Sequence, residues 1–259
     1  MVDHSGMKLG KGPVKYDKDT LQFNKYVHPS PKRKIALPPP SVAWSTKMTN
    51  LSMMLNDQIG DCAFAAIGHL IQAWSANAGS QIVVPDQQIL NFYEKFGYVP
   101  GNPATDNGAV ILDVLNYASK FGIDGNGLYK IGPFALVEPG NHNNVKLAID
   151  YFGGIDIGLQ LAINAQKQDV WHFDQASQDD WSPGSWGGHC VTVEDYDDTF
   201  LTCITWGQTK KMTWSFWDAY CDEAYAVLDQ LFFDKNGKDP LGFDWASLMA
   251  DLPQIGTSV

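Results

Sequence analysis

The sequence predicts an α+β protein of two lobes, with helices first and antiparallel strands after. Three observations carry this. Apolar residues from Cys62 to Gly122 recur at three- and four-residue steps. Beyond Ile155 the period falls to two, as in Ile155-Asp156-Ile157-Gly158-Leu159-Gln160-Leu161. The 259 residues are 44% hydrophobic and 18% charged, a balance that supplies a sizeable core and excludes a disordered chain.

Each element follows from local pattern. Cys62 to Ala76 reads as a helix, with Phe64, Ile67, Leu70, Ile71 and Trp74 at helical steps. It is apolar over more than half its circumference, which predicts burial between layers. Pro85-Asp86 starts a second helix through Phe96, with Ile89, Phe92 and Tyr93 inward. Asp106-Asn107-Gly108 is expected to cap a third that stops at Gly122, and Asn144 to Phe152 forms a shorter fourth. Gly188 to Tyr196 and Phe200 to Trp206 follow as strands joined by an Asp197-Asp198 turn. Trp214 to Cys221 is expected as a short helix and Ala224 to Phe233 as a last strand. Residues 1–40 read as a basic arm made extended by Pro29, Pro31 and Pro38-Pro39-Pro40. The main domain then spans 41–233, with a helical lobe over about 41–150 and a strand lobe over about 151–233, before a tail at 234–259.

The net charge of -11 is unevenly spread. Residues 1–50 hold nine Lys/Arg against Asp3, Asp17 and Asp19, a net +6, and the remainder carries -17. A basic arm on an acidic body is expected to dock on that body or on a neighbouring subunit. Nucleic acid is not an expected partner of the body, because phosphates would be repelled. No apolar run approaches the ~20 residues that span a bilayer. No secretory h-region follows Met1, so the expected location is cytoplasmic or virion-associated, with free thiols as the default. Cys62, Cys190, Cys203 and Cys221 lack metal-ligand spacing, and neither metal nor organic cofactor is expected. Cys203 and Cys221 are a possible pair only in an oxidising compartment.

Chemistry concentrates at two places. In Asn56-Asp57-Gln58-Ile59-Gly60-Asp61-Cys62, a cysteine follows a turn signal and opens an apolar helix. A helix N-terminus places partial positive charge beside a thiol and favours the thiolate nucleophile. Far downstream, Gly187-Gly188-His189 enters a strand. A histidine there can hold an ion pair with the thiol and later protonate a leaving amine. The bland alternatives are a small buried Cys62 and a strand-end His189. His69, about 10 Å along the same helix, is too far for proton relay and reads as a core residue. His28, His142 and His172 sit in loop-like contexts, and Cys190 points to the opposite face from His189. Gly10-Lys11-Gly12 is no phosphate loop, because no strand precedes it.

These motifs together resemble the papain-like cysteine peptidase superfamily over roughly residues 38–232. Pro40-Ser41-Val42-Ala43-Trp44 resembles its entry segment, and Gly60-Asp61-Cys62 resembles the calpain variant of its nucleophile helix. Asp106-Asn107-Gly108 resembles the wall of the substrate cleft. Gly187-Gly188-His189-Cys190-Val191 and Thr205-Trp206-Gly207 resemble the histidine strand and the segment after it. The resemblance implies a papain-like two-lobed fold and a thiol hydrolase, most simply a peptidase acting on a peptide or protein. Cys62 is then the nucleophile, His189 the base and Gln58 the oxyanion donor, with Asn56 as the rival amide. Asn107, Gly108, Gly188 and Trp206 line the cleft, and Trp181 and Trp186 are candidates for its wall. Two departures stand out. The amide loop is shortened by two residues, and the orienting Asn is replaced by Ile204, which leaves Thr205 or Gln208 to orient the imidazole. They keep open a second reading, an inactive papain-like module with a binding or structural role in a phage particle or other assembly, and a third, a related acyl transfer. The basic arm, placed before the entry segment, is expected to act as an inhibitory leader.

Overall fold

The computed structural model of the protein describes residues 3–27, 37–174, 180–229 and, near the C-terminus, 247, 248, 250 and 251. Among these, a mixed sheet runs in the order β1-β3-β8-β4-β5-β6-β7, with β2 paired to β5. The strands are β1 (Leu21–Gln22), β2 (Val42–Ala43), β3 (Phe134–Leu136), β4 (Ile155–Leu161), β5 (Gly187–Tyr196), β6 (Phe200–Thr205), β7 (Gln208–Thr213) and β8 (Cys221–Val227). All pairings are antiparallel except β1 with β3. The helices are α1 (Phe23–Val27), α2 (Cys62–Asn77), α3 (Asp86–Glu94), α4 (Ile111–Phe121), α5 (His142–Phe152) and α6 (Trp214–Tyr220).

Every residue of α2 is buried, as its all-round apolar surface requires. One side meets α3 and α4, where Phe64 sits edge-on to Phe92 at 4.9 Å and to Phe96 at 5.0 Å. Another side meets β5, whose Cys190 belongs to the same core. The indole N–H of Trp74 donates to the Phe152 carbonyl at 2.8 Å and ties α2 to the end of α5. Asn141 caps α5, accepting the Asn144 N–H at 3.2 Å, and Gly153 ends it in the left-handed region at φ 70. A second core covers the other face of the sheet. It takes up Val145, Leu147, Ala148 and Phe152 of α5, so this helix sides with the strands although it precedes residue 150.

Several expectations change. The third helix is not capped by Asp106-Asn107-Gly108. It begins at Ile111, with Val110 at its N-cap making no side-chain bond. The Asp106 carboxylate instead accepts the Gly60 N–H and the Tyr93 hydroxyl, each at 2.9 Å. The arm is not extended throughout 1–40: β1 and α1 form within it, and Phe23 and Tyr26 enter the strand-side core. Elements this short carry no readable period, and tertiary contacts complete them, among them the parallel pairing with β3, the Phe23–Phe152 contact, 5.9 Å between ring centroids, and the Tyr26 hydroxyl donating to Asp251 at 2.7 Å. Strand β7 escaped because its sequence, Gln-Thr-Lys-Lys-Met-Thr, is polar, as befits the end of a sheet. Strand β4 is buried on both faces except at Gln160, a central position that alternation alone would not assign. The last expected strand runs Cys221–Val227; positions 230–233, the tail over 234–246, and His28, Pro29 and Pro31 lie outside the described residues. All four cysteines are free, including Cys203 and Cys221.

Replacing Phe23 by Ala is expected to lower unfolding free energy by about 3–5 kcal/mol, the cost of emptying a buried aromatic site. Denaturant titration of the full chain checks this; a change below about 1 kcal/mol would show that α1 is not part of the core.

Candidate active site

Cys62 opens α2. The Asp61 carbonyl accepts the N–H groups of Phe64 and Ala65 at 2.8 and 3.0 Å and starts the helix, leaving the Cys62 side chain at its positive end. The Cys62 Sγ accepts the backbone N–H of Cys190 at 3.4 Å. That bond sets the thiol against the residue adjacent to His189, 127 positions away in sequence.

His189 is fully buried in β5, opposite Leu159 of β4. Its Nε2 lies 2.7 Å from Thr205 Oγ1, and its Nδ1 has no hydrogen-bond partner among the described residues. The imidazole stacks on Trp206 with centroids 4.6 Å apart and planes 16° from parallel. Trp206 sits in the turn between β6 and β7 at φ 48, a conformation costly for a bulky residue, followed by Gly207 at φ 68. Trp186 also packs on Trp206, with centroids 5.6 Å apart. His69 is a core residue, its Nε2 2.9 Å from the Ser52 carbonyl.

The expected site residues divide. Cys62, His189, Thr205, Trp206, Gly108 and Gly188 converge on one cleft. Ile204 is buried one residue short of the imidazole, and strand alternation gives the orienting place to Thr205. Gln208 is exposed and pairs only across the β6–β7 turn. Gln58 is also exposed, its Nε2 3.5 Å from Asp57 Oδ1; the buried amide of that loop is Asn56, whose Nδ2 lies 3.4 Å from the Ile59 carbonyl. Asn107 is exposed and bonds back to Ala104 within its own loop. Asp106, expected as a helix cap in a cleft-wall motif, and Tyr93, expected only as a core residue, hold the two walls: Tyr93 Oη accepts the Gly108 N–H at 2.7 Å and donates to Asp106, which in turn holds Gly60.

The cleft is filled by the chain's own residues 4–15. The His4 N–H donates to the Gln166 carbonyl at 2.8 Å, and its ring stacks on Trp206 at 5.0 Å. The Lys8 carbonyl accepts the Trp206 indole N–H at 3.4 Å. Gly10 passes between Gly60 and Gly108 so closely that a Cβ on Gly10 would fall on the Gly60 carbonyl, and one on Gly108 would fall on the Gly10 carbonyl. The Gly10 N–H faces the Cys62 sulfur, and the Gly10 carbonyl accepts the Ala109 N–H at 2.8 Å. Lys11 N–H donates to the Gly188 carbonyl at 3.0 Å, and Gly12 N–H to the Ala109 carbonyl at 2.7 Å. Lys15 meets Asp113 of α4 at 2.6 Å on the surface. The Gly-Lys-Gly spacing was the readable trace of this close approach.

Electrostatics match a closed cleft. Burial pushes the Cys62 thiol up to about 12, against the N–H groups of Cys190 and Gly10, with Asp61 adding to the rise. Burial drives His189 down to about 3, helped by His4 and His69. Thiol and imidazole are both neutral at pH 7 in this state. No cluster of three metal-ligating side chains occurs among the described residues, and no described helix is long and apolar enough to cross a membrane.

No protein-family model and no curated protein matches the sequence. Solved structures do. The cysteine protease xylellain from Xylella fastidiosa superposes with a TM-score of 0.64 at 15% identity, over 88% of this chain and 98% of that one. The chain has the papain-like fold. Procathepsin B S9 from Trypanosoma congolense matches at 0.58 and 11% identity over 87% of both chains. Digestive procathepsin L 3 from Tenebrio molitor matches at 0.56 and 12% over 87% of this chain and 77% of that one. The papain-like α+β architecture expected from the ordered motifs is therefore shown, with α2, which begins at Cys62, packed on β5, which carries His189.

With its thiol near 12, Cys62 in the full-length chain is expected to react with iodoacetamide slowly at pH 7. The rate should rise about tenfold per pH unit from 6 to 10 with no plateau, since only the thiolate reacts. Gly10→Ala forces the arm away from Gly60 and is expected to raise Cys62 labelling at pH 7 by about tenfold or more. Site-resolved mass spectrometry reads both; fast labelling of the unaltered chain at pH 7 would contradict the closed, neutral thiol.

Proposed function

We propose that the protein is a papain-like thiol peptidase held latent by its own N-terminal arm. The observation that supports this most is the placement of Cys62 Sγ at the amide next to His189, with Thr205 on Nε2 and Nδ1 left without a partner. With Nε2 engaged, Nδ1 is the nitrogen left to exchange a proton with the thiol. Cys62 Sγ attacks the carbonyl carbon of a peptide bond, forming a C–S bond while the carbonyl π pair moves to oxygen. The first-turn N–H of Cys62 and the buried amide of Asn56 are the donors nearest in kind to what that oxyanion needs. Collapse expels the amine, which takes its proton from His189, and water then hydrolyses the thioester. Trp206 covers the imidazole from water and strengthens the ion pair once formed.

The arm blocks without being cut. It offers the sulfur an N–H, not a carbonyl carbon, and the Gly10 carbonyl is already committed to Ala109. Displacing residues 4–12 opens the thiol and imidazole to solvent, removes the burial that keeps both neutral, and lets the proton pass from sulfur to nitrogen. Thr205 supplies the contact that Ile204 cannot, which favours a latent enzyme over an inert module.

Fluorogenic peptide amides test the reading. The Gly10→Ala chain is expected to hydrolyse them and the unaltered chain far less. Cys62→Ala in that background should abolish turnover. Thr205→Val should lower kcat by about tenfold, the worth of one hydrogen bond to the imidazole, and should shift the acid limb of the pH profile. An open cleft with freely labelled Cys62 and no turnover would favour the structural module.

A further inference from the structure

The arm places a lysine in a pocket beside the thiol. Lys11 is one residue from Gly10 at the Cys62 sulfur, and its side chain is fully buried. Its Nζ lies 2.9 Å from Asp222 Oδ2 and 3.1 Å from Glu223 Oε1. The pocket is held from behind: Gln160 Nε2 donates to Asp222 Oδ2 at 2.7 Å, and Tyr225 Oη donates to Glu223 Oε2 at 2.9 Å. Gly158 forms its floor, where any Cβ would collide with the Lys11 Cε. Asp222 Oδ1 has no hydrogen-bond partner among the described residues and is a spare acceptor for a second donor. Asp222, Glu223 and Tyr225 also border a cavity of about 300 Å³ with Glu138 of the body and Val14 to Asp17 of the arm.

We infer that this pocket selects substrates with a lysine or arginine side chain next to the residue that meets Cys62. When the arm leaves, Lys11 leaves with it, and two carboxylates lose their shared cation in a largely buried site. Removing one partner of a buried ion pair is strongly unfavourable, and an apolar or acidic side chain does not restore it. A lysine replaces what was lost; an arginine reaches the same oxygens and also Asp222 Oδ1. The pocket therefore serves twice, holding the arm in register in the latent state and reading a basic residue in the open one. The hydrolytic part of this inference rests on the Cys62–His189 peptidase reading; the cation pocket does not.

The experiment uses the full-length chain with Gly10→Ala and Lys11→Ala, which vacates both thiol and pocket. Fluorescein-labelled hexapeptides Ala-Ala-Lys-Gly-Ala-Ala and Ala-Ala-Gly-Lys-Ala-Ala are compared with norleucine and glutamate counterparts, by polarisation for binding and by cleavage for kcat/KM. The lysyl peptide of one order is expected to bind at least about tenfold more tightly than norleucine, and the preference should vanish with Asp222→Asn. Equal binding of lysyl and norleucyl peptides, or no binding of either, overturns the assignment. A lysyl preference in binding with no cleavage keeps the pocket and removes the peptidase reading.

Discussion

The site depends on one contact between two layers, where the N-terminus of α2 meets the backbone of β5. The bond from the Cys190 N–H to Cys62 Sγ joins a helix whose every residue is buried to a central strand of the sheet. Because α2 is enclosed by α3 and α4 on one side and β5 on another, its end has little freedom to shift, and a thiol there inherits the precision of the core. His189 is held as firmly, by the β4 and β6 ladders, the Thr205 hydroxyl and the face of Trp206. Neither Cys62 nor His189 rests on a loop.

The same rigidity makes the cleft easy to close. Gly60 and Gly108 form facing walls, set by the Tyr93–Asp106 pair, and only a chain with glycine at the crossing passes between them. Once inside, the arm removes water from Cys62 and His189, and burial drives both toward their neutral forms. The arm therefore changes the dielectric around Cys62 and His189 as well as covering them. Further along, α1 and β1 fix the arm to the core, so it is bound at two places with different physics: backbone pairing and a buried cation in the cleft, aromatic packing behind the sheet.

Much of this was legible. The segments α2, α4 and α5 and the β5–β6 hairpin read directly, α4 and α5 because burial on one side imposes a helical repeat, α2 and the hairpin because long apolar runs are bounded by turn signals. Cys62 and His189 stood out because each residue type sat at an element start after glycine. Thr205 and Gln208 were the alternatives once Ile204 was set aside; the Thr205 hydroxyl lies 2.7 Å from the imidazole, whereas Gln208 is exposed. Gln58 was expected as the amide donor ahead of Asn56, but it is exposed and Asn56 is the buried amide, because which side chain of a shortened loop turns inward is set by the loop's tertiary contacts. The acidic pocket was invisible: Asp222 and Glu223 are adjacent in sequence and unremarkable until Gly158, Gln160 and Lys11 surround them.

The sequence by itself determined the fold class and singled out Cys62 and His189 as candidates, because hydrophobic period and local turn signals are properties of neighbours along the chain. Only the tertiary structure decided that the thiol meets the histidine strand, that the arm lies over both and that both groups are neutral. Those outcomes come from contacts between segments far apart in the chain and from loss of water, and of them only the arm's close approach leaves a local trace, in Gly10-Lys11-Gly12.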